Sequence, residues 1–301
     1  MITVKLKGGL GNQMFQYAFG KYLAKKLNSH FQLDIRYLLD RTPIRNYSFR
    51  DYDLDIFNLQ VNLKSKPKAF PLQVYFAKLW EFIILKSGSL LKFSSHGYYV
   101  ERTLFMFDDA VNKLSSNCYV SGYFQCYKYI EPIEKDLRSD FHFSPKLGDQ
   151  ETNLLAEILD SESVCVHIRR GDMLTLSGID TDLSYFEKAL TRLEEIRLIN
   201  HVFVFSDDIE WCKLNFRSQV KTTFVDPEFA GRKASHHFFF MLNCTHFIIS
   251  VSSFAWWAAF LGNSKDKVVL VSKSWCNFST KKEELSFPLR YRLYPPFRRG
   301  Q

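Results

Sequence analysis

Apolar and polar positions change period along this chain in an ordered way. Residues Ile2 to Lys7 alternate as a strand does, Gly8-Gly9-Leu10-Gly11 forms a tight turn, and from Asn12 to Leu27 the residues Phe15, Phe19, Tyr22 and Leu23 share one helical face. His30 to Ile35 reads as a second strand. Strand, turn, helix and strand in this order predict an α/β domain with parallel pairing. From about Asp51 to Ser144 the pattern is irregular, broken at Lys66-Pro67, Phe70-Pro71 and Ser87-Gly88, and insertions that shape a pocket are expected there. Beyond a linker at Ser144-Pro145-Lys146-Leu147-Gly148 the order is regular again. Strands are predicted at 164–168, 202–206, 222–225, 247–250 and 268–272, with helices at 184–199, from 209, at 233–243 and at 253–261. That alternation builds a doubly wound sheet. Ser184 and Glu187 have the N-cap and N3 spacing of a capping box.

A chain of 301 residues exceeds one ordinary core, which predicts two domains, 1–146 and 147–301, the tail a candidate to return to the first. With 46% hydrophobic and 24% charged residues, a disordered or collagen-like protein is excluded. The net charge of +8 gathers at Lys64–Lys68, Lys281–Lys282 and Arg290–Arg299, read as solvated surface or as attraction to an anionic membrane or to nucleotide-linked substrates. No basic helix carries a nucleic-acid reading motif, so no nucleic-acid partner is expected. Cysteines 118, 126, 165, 212, 244 and 276 lack metal-ligand spacing and read as reduced thiols. Met1 to Lys7 is too short and charged for a signal peptide, and no run approaches the ~20 apolar residues of a membrane span. A cytoplasmic protein is expected, with Tyr75 to Leu85 either a peripheral membrane contact or a plain packed helix.

Candidate chemistry gathers at predicted strand ends. Val164-Cys165-Val166-His167-Ile168-Arg169-Arg170-Gly171-Asp172 is an apolar run ending in two arginines, whose fixed charge suits an anionic ligand such as a diphosphate. Strand alternation puts Arg169 on the side of His167, toward a ligand, and leaves Arg170 to pair internally, with Asp172 as the candidate partner; a structural ion-pair network is the other reading. Val202 to Ser206 ends in Asp207-Asp208, acceptors for a base or sugar hydroxyls, with Asp208 equally suited to cap the next helix. Ser252-Ser253-Phe254 opens an apolar helix whose start suits a phosphate, whereas Trp256 and Trp257 read as core. Gly9-Leu10-Gly11 imitates a dinucleotide fingerprint, but its third glycine position is Met14, which argues against a nicotinamide or flavin cofactor. The turn with Asn12 and Gln13 remains suited to a sugar or phosphate. Asp51-Tyr52-Asp53-Leu54-Asp55 offers a metal motif but follows no apolar strand, so a structural or acceptor-side role is preferred and no metal is expected.

These segments resemble the α-1,2-fucosyltransferases of glycosyltransferase family 11. The resemblance runs through Gly8 to Tyr17, Tyr52 to Phe57, Gly122-Tyr123-Phe124-Gln125, His167 to Asp172, Phe205 to Cys212 and Ser252 to Trp257, in order along nearly the whole chain. It implies a GT-B architecture of two Rossmann-like domains facing across a cleft, the first acceptor-binding and the second nucleotide-binding. It also implies a GDP-fucose donor, no cofactor, metal-independent inverting transfer, and a galactose-terminated glycan receiving fucose at its 2-hydroxyl. Val251 stands where the family commonly has asparagine, and Ala255 and Ala258 replace a usual serine and glycine.

On that basis Arg169, Asn12 and Asp172 are the expected catalytic residues: Arg169 for charge on the departing β-phosphate, Asn12 for the sugar-phosphate, Asp172 as candidate base. Gly9, Gly11, His167, Arg170, Asp207, Asp208, Ser252, Ser253 and Phe254 are expected to bind the donor, with His167 and Asp207 at the guanine end. A dinucleotide-dependent oxidoreductase and a non-catalytic glycan-binding protein are the rival readings.

Overall fold

The computed structural model describes residues 1–41, 49–65, 97–171, 183–272, 275 and 291–294. The chain divides into two units, Met1–Phe141 and His142–Gln301, where the sequence suggested 146/147. In the first, strands β1 (Ile2–Lys5), β2 (Phe31–Asp34), β3 (Asn62–Lys64), β4 (Tyr98–Val100) and β5 (Tyr119–Ser121) form one sheet in the order β3-β2-β1-β5-β4. Every pairing is parallel. Helix α1 (Leu10–Lys26) packs on β1 and β2, burying Met14, Phe15, Ala18 and Phe19 with Val4 and Leu33. Burial of such side chains removes apolar surface from water at about 25 cal/mol per Å². The close approach of helix to sheet is made at Gly20, where a Cβ would stand 2.6 Å from the Phe31 ring and 2.8 Å from Val4. Met14 is thus accommodated as core, and the glycine that the fingerprint would place there is supplied later in the helix. A short helix α2 (Glu134–Asp140) closes the unit.

The second unit holds strands β6 (Ser163–Ile168), β7 (His201–Ser206), β8 (Lys221–Phe224), β9 (His246–Ile249), β10 (Val269–Ser272) and β11 (Tyr291–Tyr294). Their order is β11-β10-β9-β6-β7-β8, again all parallel. Helices α3 (Asp149–Leu159), α4 (Leu183–Glu194), α5 (Ile209–Asn215), α6 (Ser235–Asn243) and α7 (Ser253–Leu261) alternate with them. β6 and β9 are buried at every position, as central strands of a parallel sheet must be. Trp256 and Trp257 are core, as expected.

In both sheets the chain winds outward from the first strand and then reverses, so that a switch point lies between β1 and β5 in one and between β6 and β9 in the other. Ligands of open α/β sheets bind outside the carboxyl ends of the strands at such points.

Several expectations are corrected. Ser184 lies inside α4, within its described span Leu183–Glu194, so it does not cap the helix. The part of the tail at Tyr291–Tyr294 pairs with β10 in the second sheet rather than returning to the first domain. Strands β3, β4 and β5, in the half read as irregular, and helix α3 were not foreseen. The cysteines at 118, 126, 165, 212 and 244 are buried and unbridged. Among the described residues no helix is long and apolar enough to cross a membrane. Residues 75–85, the candidate membrane contact, lie outside the described residues.

Candidate active site

The turn after β6 is held by the end of β7. Asp207 accepts the backbone N–H of Arg170 at Oδ1 (2.8 Å) and that of Gly171 at Oδ2 (3.1 Å), and Arg169 Nη1 stands 2.9 Å from the same Oδ2. Arg170 Nε donates to Asp208 Oδ2 at 3.0 Å, and its guanidinium lies 3.3 Å from the centroid of the Trp211 ring. Two aspartates on one strand end thus clamp two arginines on the next, by charge-assisted bonds and a cation–π contact. Arg169 is the more exposed, at 28% against 13% for Arg170. It is the cation that the turn offers outward.

This geometry changes three assignments. Asp207, expected at the guanine end, spends both oxygens on the turn. Asp208 occupies the N-cap position of α5 without capping it, because its carboxylate goes to the guanidinium. Arg170 is internal as expected, but the partner observed is Asp208; Asp172 lies outside the described residues.

His167, at the end of β6, is 7% exposed, and its Nδ1 is buried without a hydrogen-bond partner. Burial first, then the charge of Arg169 and the neighbouring His237, pushes its pKa down to about 3, so the ring is neutral at physiological pH. Its ring centroid lies 6.1 Å from that of Phe254, which in turn packs on Phe238. Since the unfolded chain would titrate near pH 6.5, stability is lost as pH falls through that value towards 3. From pH 7 to pH 5 His167 alone should remove about 2 kcal/mol. Denaturant titrations of the wild type and His167→Gln should differ in pH slope by that amount; equal slopes would show that the buried imidazole does not titrate this way.

Across the switch point, Ser252 caps α7 by accepting the Ala255 N–H at 3.3 Å, so its hydroxyl is engaged within the helix start. Ser253 and Phe254 follow in its first turn, where backbone N–H groups are not used by the helix itself. Ser250, which the sequence did not single out, joins the two strand ends: its hydroxyl accepts the Arg169 N–H at 3.2 Å, and its carbonyl accepts Trp275 Nε1 at 3.2 Å.

At the switch point of the first sheet, Gly8 has φ +78°, a conformation that only glycine adopts readily, and turns β1 into α1. Gly9 is the N-cap of α1, a Cβ there would meet nothing within 4 Å, and Gly11 is buried in the first turn, which carries no acidic residue. Asn12 Oδ1 accepts Gln125 Nε2 at 2.6 Å. Gln13 is not available to a sugar. It is fully buried, donating to the carbonyls of Gly8 (2.8 Å) and Asp51 (2.7 Å) and accepting the Asp53 N–H (2.9 Å). Gln16 does the same for Lys7 N–H, Lys7 C=O and Gly122 C=O. Asp51 is ion-paired with Arg41, so the segment 51–55 is tied into the first unit by its backbone and by that pair.

The chain holds two Rossmann-like parallel sheets in succession, the second presenting an arginine turn at its switch point. The chain belongs to glycosyl transferase family 11, whose model matches residues 1–289. It is 30% identical over 289 residues to an alpha-1,2-colitosyltransferase of Escherichia coli, covering 91% of this chain and 92% of that protein. It is 26% identical over 278 residues to galactoside 2-alpha-L-fucosyltransferase Sec1 of Mus musculus, covering 87% of this chain and 64% of the mouse protein. The crystal structure of the fucosyltransferase NodZ from Bradyrhizobium matches with a TM-score of 0.43 at 14% identity, covering 85% of this chain and 91% of that one.

Proposed function

We propose that this protein transfers L-fucose from GDP-fucose to the 2-hydroxyl of a terminal galactoside, forming an α-1,2 linkage with inversion. The observation that carries the reading is the outward Arg169, fixed by Asp207 and Ser250 at the switch point of the second sheet in a family 11 chain. The bond from fucose C1 to the β-phosphate oxygen breaks with its electron pair going to GDP. The acceptor hydroxyl attacks C1 from the opposite face and loses its proton to water or to a carboxylate, for which Asp172 remains the candidate. Arg169 and the N–H groups at the start of α7 stabilise the charge growing on the phosphate, the kind of preorganised electrostatic contribution that dominates many enzymes. His167, neutral and buried beside Phe254, is assigned to the guanine end, and Asn12 to the sugar-phosphate. Arg170, Asp207 and Asp208 support the turn. No cofactor and no metal enter this scheme. The acceptor is a galactose-terminated glycan, and a cytoplasmic setting with a peripheral membrane contact is the accompanying reading.

The expected result is a fucosylated galactoside when the protein is incubated with GDP-fucose and lactose in the presence of a chelator, with the linkage read by NMR. Parallel incubations with the nucleotide donor of colitose address the sugar, since one relative carries that name. Thermal stabilisation by NAD(P) but not by GDP would overturn the reading in favour of an oxidoreductase. Binding of GDP with no transfer to any of a panel of galactosides would leave a glycan-binding protein.

A further inference from the structure

The loop that follows β5 is built around one buried carboxylate. Glu101, just past the end of β4, accepts the N–H of Tyr123 at Oε2 (2.6 Å) and that of Phe124 at Oε1 (2.9 Å). Phe124 has φ +54°, a conformation that costs a non-glycine residue of order 1–2 kcal/mol, yet its ring is buried and stacked on Phe19 at 3.7 Å between centroids. Gly122 leaves no room for a side chain, because a Cβ would collide with Glu101 and stand 2.8 Å from the Phe124 ring. Its carbonyl is held by Gln16 at 3.0 Å. The strained backbone sends Tyr123 over the Lys7 ammonium at 4.3 Å and Gln125 to Asn12. Gln125 donates to the Asn12 carbonyl oxygen, a bond that fixes the orientation of the amide and with it the direction of its NH₂ donor.

We propose that Glu101 and Gln125 are positioning residues for the transfer: Glu101 clamps the loop after β5, and Gln125 uses that loop to set the Asn12 amide as a hydrogen-bond donor. The proposal rests on the reading that Asn12 binds the fucosyl donor. Strain stored in Phe124 is kept there by an anion that fills the loop's own N–H groups, so the neutral acid, with one oxygen protonated, holds the loop less well. Burial raises the Glu101 pKa to about 7 against the two N–H bonds and Lys7, with Asp108 adding to the rise. Tyr99 and Tyr129 are the other titratable neighbours, both pushed up by burial and so neutral, while Asp108 is paired with Arg102. The clamp should therefore loosen as pH falls through about 7.

The test is a kinetic cycle on the full chain with varied acceptor and pH. Gln125→Ala and Glu101→Gln should each lower kcat about tenfold, the scale of a small misplacement, with acceptor KM little changed. Glu101→Gln should in addition flatten the acid limb of the wild-type kcat profile, which a merely structural role would not do. In an Asn12→Ala background neither change should lower kcat further. Should Asn12→Ala slow turnover while Gln125→Ala adds its full effect on top, the clamp is overturned and the Asn12 reading stands. Wild-type turnover in Asn12→Ala overturns the Asn12 reading and the clamp with it. If Glu101→Gln does not fold, the Gln125→Ala cycle decides alone, since it leaves the bonds of Glu101 in place.

Discussion

Arg169→Ala should slow fucosyl transfer by roughly 10²–10³, the cost of removing one preorganised donor from developing charge. The fall should appear in kcat at saturating donor, because the guanidinium is assigned to charge that grows as the phosphate departs and is only partly present in bound GDP-fucose. Two features keep the substitution readable. The side chain of Arg169 is partly exposed, and its backbone bond to Ser250 is untouched by truncation. The fold should therefore survive. Alanine does release one of the contacts of Asp207, but the two N–H groups of Arg170 and Gly171 continue to hold that carboxylate. Stopped-flow or single-turnover assays with GDP-fucose give the comparison directly, and near-normal turnover would remove Arg169 from the mechanism.

Gln16→Met should destabilise the first unit by about 4 kcal/mol although the side chain hardly changes in size. Gln16 is wholly buried and bonds to Lys7 N–H (3.0 Å), Lys7 C=O (3.1 Å) and Gly122 C=O (3.0 Å). A thioether replaces none of these bonds well, and each buried backbone group deprived of its partner costs about 1–3 kcal/mol. The denaturation midpoint of purified Gln16→Met against wild type reads the effect. A loss below about 1 kcal/mol would mean that the loops find other partners and that Gln16 is not the staple described here.

The second unit was legible because its strands declare themselves. Val164 to Val166 and Val202 to Phe205 are continuous apolar runs, and the polar residues begin where the runs stop. The first unit was legible only at its opening, since β3, β4 and β5 have three residues each, too few for an alternation to register. Within the site, residue types and strand ends pointed to Arg169 and to the internal fate of Arg170. The partners did not follow, because Asp207 reaches residues 36 and 37 positions earlier through strand adjacency that spacing along the chain does not encode. Trp211 beneath Arg170, Ser250 between the strand ends, and Glu101 under its loop were missed for the same reason. A signal for Gln13 and Gln16 existed, in two amides on an otherwise apolar helix face. Beside the glycine turn that signal suits an outward contact for Gln13 equally well, and the fold turns both side chains inward.

Gln13, Gln16, Asp207 and Ser250 share one habit: each grips a neighbouring loop by its backbone amides or carbonyls. Anchors of that kind are indifferent to which side chains the gripped residues carry. Asp51, which Gln13 grips by its carbonyl, can therefore be exchanged with that bond intact, which makes the segment around it a suitable place to vary when a different acceptor sugar is sought, and the four anchors the residues to leave alone.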